Sequence, residues 1–235
     1  MHAPMDQFAV NGGELVIGGQ RLTMLAERVG RTPFYAYDRT LLKARVGELR
    51  SALPPTVKLH YAMKANPLPA LVGFMVGLVD GVDVASADEL QVALNAGAAP
   101  QEISFAGPGK TALELRQAVA AKVLVNVESL REVLLLEGIS AALGTPARVA
   151  VRVNPDFELK GSGMKMGGGP KQFGVDVEQV PDLLSRISSA GLAFEGFHLF
   201  AGSQNLRRTR SATRSGSRTN WRCVLQPAGG PRCAS

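Results

Sequence analysis

From Lys58 to residue 202 the chain alternates between short β-rich runs and longer helical patterns, and this rhythm restricts the fold more than any other feature. The runs are KLHYAM (58–63), VDVAS (82–86), ISFAG (103–107), VLVN (123–126), RVAVRVNP (148–155) and FEGFHLFAG (194–202). Between them lie LPALVGFMVGLV, ADELQVALNAG ended by Gly97, TALELRQAVAA, and helices near 128–142 and 177–190. Strand, helix, strand at this spacing predicts βαβ units, an α/β fold and a parallel sheet. Ahead of the series, PFYAY (33–37) reads as a lead-in strand, and Asp38 is placed to cap a helix running to about Ala52.

A doubly wound sheet and an unfinished eight-stranded barrel both fit this count. Two strands tilt the reading to the barrel. In RVAVRVNP, Val149, Val151 and Val153 share one face, while Ala150, Arg152 and Asn154 share the other. In FEGFHLFAG, Gly196, His198 and Phe200 share a face. Strands buried on both faces read as uniformly apolar, whereas polar groups near strand C-termini suit a barrel mouth.

Formal net charge is +6, which on its own suggests an anionic partner. The distribution argues otherwise. Arg207, Arg208, Arg210, Arg214, Arg218, Arg222 and Arg232 lie in a tail without acids, and removing their seven charges leaves residues 1–206 at −1. The tail, 207–235, lacks apolar periodicity and reads as disordered. It resembles the product of a reading-frame shift; a genuine basic tail is the other reading. Its lone Trp221 is poor support for nucleic-acid binding. Both cysteines, Cys223 and Cys233, lie there as well, so the body has no disulfide framework and no thiolate metal site. With no signal peptide and no run long enough to span a bilayer, the expected location is the cytoplasm.

HYAMKANP (60–67) is the most informative segment. On a strand, His60, Ala62 and Lys64 point the same way, with Lys64 at the C-terminal end where barrel enzymes keep their sites. Pro67 then stops ladder pairing. An inward lysine is costly unless paired or covalently used, and burial would favour its neutral, nucleophilic amine. A rim lysine reaching solvent fits the same spacing.

HYAMKANP resembles the cofactor-lysine motif of the fold-type III pyridoxal-phosphate enzymes, in the ornithine/diaminopimelate/arginine decarboxylase family. PFYAYD, VDVASADEL, FAGPGK, VNVES, VRVNPD, KQFGVD and FHLFAGSQ resemble the same family in the right order, from about residue 30 to 205. MKMGGGPKQFG and FHLFAGSQNL are most similar to the branch associated with exosortase and exopolysaccharide gene clusters. The resemblance implies a TIM-type (β/α)8 barrel of the alanine racemase/decarboxylase kind, incomplete, with about six of its eight strands. It implies pyridoxal 5'-phosphate as cofactor, decarboxylation of a free or carrier-bound amino acid, and a homodimer for the full-length family. A racemase of the same barrel and a non-catalytic remnant are the alternatives; VDVASADEL and FAGSQ favour the decarboxylase.

Residue by residue, the resemblance makes Lys64 the covalent cofactor lysine and catalytic group. Asp83 and Glu89 match acids beside the cofactor, and Arg152 an arginine that pairs with the Asp83 equivalent. Ser203 matches a serine on the cofactor phosphate. Many relatives carry histidine where this chain has Phe200, which can stack on the pyridine ring but offers no proton or charge. His198 reads equally well as a packed core residue. In GSGMKMGGGPKQFG (161–174) the family reading is a loop over the site, with Lys165 and Lys171 near substrate acids; a plain connection fits as well. Residues 1–32 resemble an N-terminal segment of a β-domain, 33–206 a partial cofactor-binding barrel, and no metal site is expected. The family's later phosphate loop, Glu-Pro-Gly-Arg segment, and cysteine and tyrosine are not in the sequence, so decarboxylation by this chain is expected to be impaired.

Overall fold

The computed structural model describes residues 7–154 and 172–200. Contacts divide the chain into two units, residues 1–55 and 56–235.

The first unit holds β1 (Ala9–Asn11), β2 (Glu14–Ile17) and β3 (Gln20–Arg21) in an antiparallel meander. Both hairpins turn on glycine pairs, Gly12-Gly13 and Gly18-Gly19, with positive φ at each residue. That backbone twist suits a two-residue hairpin and is open to few other residues. Helices α1 (Leu22–Val29) and α2 (Arg39–Ala52) follow. Asp38 caps α2 as expected, its Oδ1 accepting the Thr40 and Leu41 N–H groups at 2.8 and 3.3 Å. Its Oδ2 accepts the Gly18 N–H at 2.9 Å. These donors, Gly18 foremost, hold its carboxyl below the usual range. PFYAY does not form the expected strand. Residues 33–37 pair with no strand among the described residues, and Tyr35 is 91% exposed. Pro33 has no N–H to give to a ladder, and an extended segment without a neighbour is not a strand.

The second unit runs β4 (His60–Ala62), α3 (Pro69–Val76), β5 (Gly81–Val84), α4 (Ala87–Asn95), β6 (Ile103–Phe105) and α5 (Ala112–Ala120). It continues with β7 (Leu124–Val127), α6 (Leu130–Leu143), β8 (Arg148–Asn154), β9 (Val175–Asp176), α7 (Val180–Ser189) and β10 (Ala193–Leu199). The hydrogen-bonded order is β4-β5-β6-β7-β8-β10, with β9 also on β8, and every pairing is parallel. A doubly wound sheet reverses its order at a switch point. This sheet never does, so it is an arc of a singly wound barrel. The arc is not closed, because β4 and β10 do not pair with each other.

The two faces of the sheet separate cleanly. Val82, Val84, Ile103, Phe105, Val125, Val127, Val149, Val151 and Val153 join the helices in one buried core, with Leu115, Val133 and Leu136 among the helical partners. The alternate positions, His60, Asp83, Ser104, Asn126, Arg152 and His198, line the other face. On it Asn126 Nδ2 donates to Ser104 Oγ at 2.6 Å. A barrel needs helices on one side only, and period-two alternation delivers this.

Gly81 shows how tightly the arc is drawn. A Cβ there would meet both the Glu102 carbonyl oxygen and the His60 ring inside van der Waals contact. Gly81→Ala is therefore expected to destabilise the chain by about 1–3 kcal/mol, since the clash includes backbone that cannot rotate away. A urea midpoint equal to wild type would refute this.

Candidate active site

The candidate site grows from the strand ends on the polar face. β4 stops at Ala62, so Lys64 stands not on the strand, as expected, but in the single turn Met63–Ala65 after it. Met63 is fully buried and pins that turn. The Tyr61 hydroxyl donates to the Asn66 carbonyl at 2.8 Å, and the Asn66 side chain accepts the Leu68 N–H at 3.1 Å ahead of α3. HYAMKANP is thus a device for holding one short turn rigid. Lys64 itself is exposed rather than buried, so its amine is presented and not desolvated. Its Nζ lies 5.8 Å from the Phe200 ring centroid.

Asp83 lies beside Ala62 in the β4–β5 register. Its Oδ1 is 3.0 Å from His60 Nδ1, and its side chain remains 45% exposed. Glu89 sits at the start of α4. There Ser86 Oγ accepts the Glu89 N–H at 3.2 Å, while the Glu89 carboxylate accepts the Ala85 N–H at 2.7 Å. That reciprocal arrangement is a capping box displaced by one residue.

The expected Arg152–Asp83 pair does not form. Arg152 on β8 and Asp83 on β5 are separated by β6 and β7, so neither lies on a strand next to the other. Glu128, directly after the adjacent β7, is the nearer acid. Arg152 Nη1 donates to both of its oxygens at 3.0 Å. Glu128 also accepts the Gly107 N–H at 2.6 Å and the Gly174 N–H at 3.2 Å. Behind it, Glu132 accepts the Glu128 N–H at 2.7 Å and Lys110 Nζ at 3.0 Å. Lys110, Glu128, Glu132 and Arg152 are all buried. Their two positive and two negative charges balance, as buried charges must. Burial nevertheless pushes the Glu132 carboxyl up, against the pull of Lys110. The sequence reading passed over Lys110, Glu128 and Glu132. The available signal was Ser129-x-x-Glu132 after a strand, a cap pattern that turns a glutamate inward.

His198 faces Arg152 across the β8–β10 register. Its Nδ1 is buried and has no hydrogen-bond partner among the described residues. Burial first, then the charges of Arg152 and Lys64, push its imidazole down to about 4, with Asp83 and Glu128 opposing. It is neutral at pH 7. Unfolded histidine takes up its proton near pH 6.5, so the unfolded chain binds more protons between pH 6.5 and 4, and stability falls as pH drops through that window. The shift corresponds to about 3 kcal/mol. His198→Gln is expected to remove most of this acid loss, read as the difference in urea stability between pH 7 and pH 4.5. Equal acid losses in both proteins would contradict it.

Phe200 lies near two cations, Lys64 and Arg152. The Arg152 guanidinium is 5.9 Å from its ring centroid and 4.8 Å from that of Phe173. Ser203, Lys165, Lys171 and the tail 207–235 fall outside the described residues. The structure therefore brings together Lys64, Asp83, Arg152, His198 and Phe200, with Glu89 at a neighbouring helix start. An exposed amine, a half-open carboxylate held by an imidazole, an aromatic face and an orphaned buried nitrogen suit a flat, polar, aldehyde-bearing group. Among the described residues no group of three side chains could hold a metal ion, and no helix is long and apolar enough to cross a membrane.

The chain is similar to known proteins over most of its length. The family profile described as pyridoxal-dependent decarboxylase, pyridoxal binding domain, matches residues 39–216. A diaminopimelate decarboxylase of Aquifex aeolicus is 40% identical over 197 residues, covering 83% of this chain and 46% of that protein. An L-glutamyl-[BtrI acyl-carrier protein] decarboxylase of Niallia circulans is 36% identical over 187 residues, covering 79% and 44%. The crystal structure of diaminopimelate decarboxylase from M. jannaschii superposes with a TM-score of 0.76 at 28% identity, covering 86% of this chain and 49% of that one. The chain spans about half the length of the curated relatives it matches.

Proposed function

Since the chain belongs to the pyridoxal-dependent decarboxylase family, in its pyridoxal-binding domain, we propose that it binds pyridoxal 5'-phosphate through Lys64 and serves the decarboxylation of an amino acid. The carrying observation is the Lys64 amine, held exposed in the turn that follows β4, two residues past the partner of Asp83 and 5.8 Å from the Phe200 ring centroid. When bound, the cofactor supplies the electron sink that accepts the charge left by a departing carboxylate.

The chain's own groups then divide the work. Lys64 would hold the cofactor through its Nζ, and the same amine could carry a proton. Phe200 gives the ring a face to stack on. Asp83, kept in place by His60 Nδ1, offers one free carboxylate oxygen to the ligand. Arg152 supplies fixed positive charge and Ser203 a hydroxyl for the phosphate. Glu89 orders the start of α4 beside Asp83. The names of the relatives support two substrate classes, a free diamino acid of the diaminopimelate type and an amino acid carried on a protein.

Incubating the chain with pyridoxal 5'-phosphate, reducing with borohydride and mapping the peptides tests the reading. A pyridoxyl label on Lys64 is the expected result, and a label on any other lysine rejects it. Carbon dioxide release from free and carrier-linked amino acids, against a Lys64→Ala control, then separates the substrate classes.

A further inference from the structure

Glu128 carries donors on both carboxylate oxygens. Gly107 N–H reaches Oε1 at 2.6 Å, Gly174 N–H reaches Oε2 at 3.2 Å, and Arg152 Nη1 lies 3.0 Å from each. An amide cannot replace it, because one end would turn NH₂ against an N–H. A single carboxylate therefore ties together the loop after β6, the end of β7, the middle of β8 and the residue before β9. It is itself held from behind, since its own N–H is bound by Glu132, whose other oxygen takes Lys110.

We propose that Glu128 is the positioning residue of the site, fixing the Arg152 guanidinium against Phe173 and Phe200 in the orientation in which it meets the ligand. The proposal deepens the function above and rests on its reading that Arg152 faces the cofactor. Of the groups that Glu128 binds, Arg152 is the one whose side chain reaches the aromatic rings of the site, so its effect on a ligand runs through Arg152. Its side chain is 1% exposed, with every contact directed at protein. Arg152 in turn sets the position of Phe200, whose ring also lies near Lys64. Gly174 is part of the same device. Its φ is +73°, and a Cβ there would meet the Arg152 carbonyl oxygen at 2.9 Å, so the donor stays close to Glu128 only as glycine.

The test is a double-mutant cycle in the full chain, reading pyridoxal 5'-phosphate capture by absorbance for wild type, Glu128→Gln, Arg152→Met and both together. Glu128→Gln is expected to weaken capture about tenfold when Arg152 is present and less than about twofold when it is absent, the mark of a residue acting through another. Equal losses in both backgrounds, or none, overturn the proposal. If Glu128→Gln does not fold, Glu128→Asp, which keeps the charge and withdraws the oxygens, carries the same cycle. Capture that survives Lys64→Ala would sink the functional reading instead. The positioning claim is then decided in the unloaded chain by the Arg152 Nε–H nuclear magnetic resonance signal, assigned by its loss in Arg152→Met. A signal broadened in Glu128→Gln while the backbone amides stay in place supports the claim, and an unchanged signal ends it.

Discussion

Lys64→Ala is expected to abolish covalent capture of pyridoxal 5'-phosphate while leaving the fold intact. The amine is exposed and the turn is held by Met63, Tyr61 and Asn66, so deleting the side chain costs the fold within about 0.5 kcal/mol. Capture falls to background because the other described lysines of this unit cannot stand in. Lys58 is paired with Glu102, Lys110 is buried against Glu132, and Lys122 precedes β7 at the opposite end of the strands. The measurement is the absorbance of the reduced adduct beside a thermal melt. Residual capture near the wild-type level, with an unchanged melt, would place the cofactor elsewhere.

Lys110→Met is expected to cost about 3–5 kcal/mol at pH 7.5, because it leaves Glu132 as an unpaired charge in a pocket where both side chains are 1% exposed. A domain of this kind holds about 5–15 kcal/mol in all, so the variant approaches unfolding. The pH dependence has a defined sign. Burial already raises the Glu132 carboxyl above its ordinary value, and losing Lys110 raises it further. A raised acid favours the folded state while protonated, so this contribution is present at pH 4.5 and lost as pH rises through the folded value. The deficit of Lys110→Met should shrink on acidification toward pH 4.5 and be largest at neutral pH. Adding Glu132→Gln, which keeps an acceptor for the Glu128 N–H, should recover most of it. A deficit independent of pH, or below about 1 kcal/mol, would show that the pair is not what the burial says.

The βα rhythm carried most of the fold. Each of the six runs holds a barrel strand, and the Asp38 cap fell in place because capping is decided by adjacent residues. PFYAY failed for the complementary reason. Its composition suits a strand, but a strand also needs a neighbour, and neighbours are not written locally. Lys64 was legible as the terminal group of a strand, yet its exposure was not, since two more residues of ladder or a turn look alike in sequence. The charge pairing was the least legible part. Asp83 and Arg152 were both recognisable, but each partner was set by which strand lies next door, so Asp83 met His60 and Arg152 met Glu128. Little in the sequence marks Lys110 and Glu132 as a buried pair, since isolated lysine and glutamate are usually exposed.

Ser86, Thr111 and Ser129 open α4, α5 and α6, each with a glutamate three residues on, Glu89, Glu114 and Glu132. In a parallel βα arc these openings all lie at the end where the strands finish, and each helix directs the positive pole of its macrodipole there. Such poles ordinarily attract phosphate. Here the protein's own anions already occupy them. A phosphorylated ligand at these three openings therefore gains little from α4, α5 and α6, and its binding there should depend on side-chain cations and so weaken as ionic strength rises.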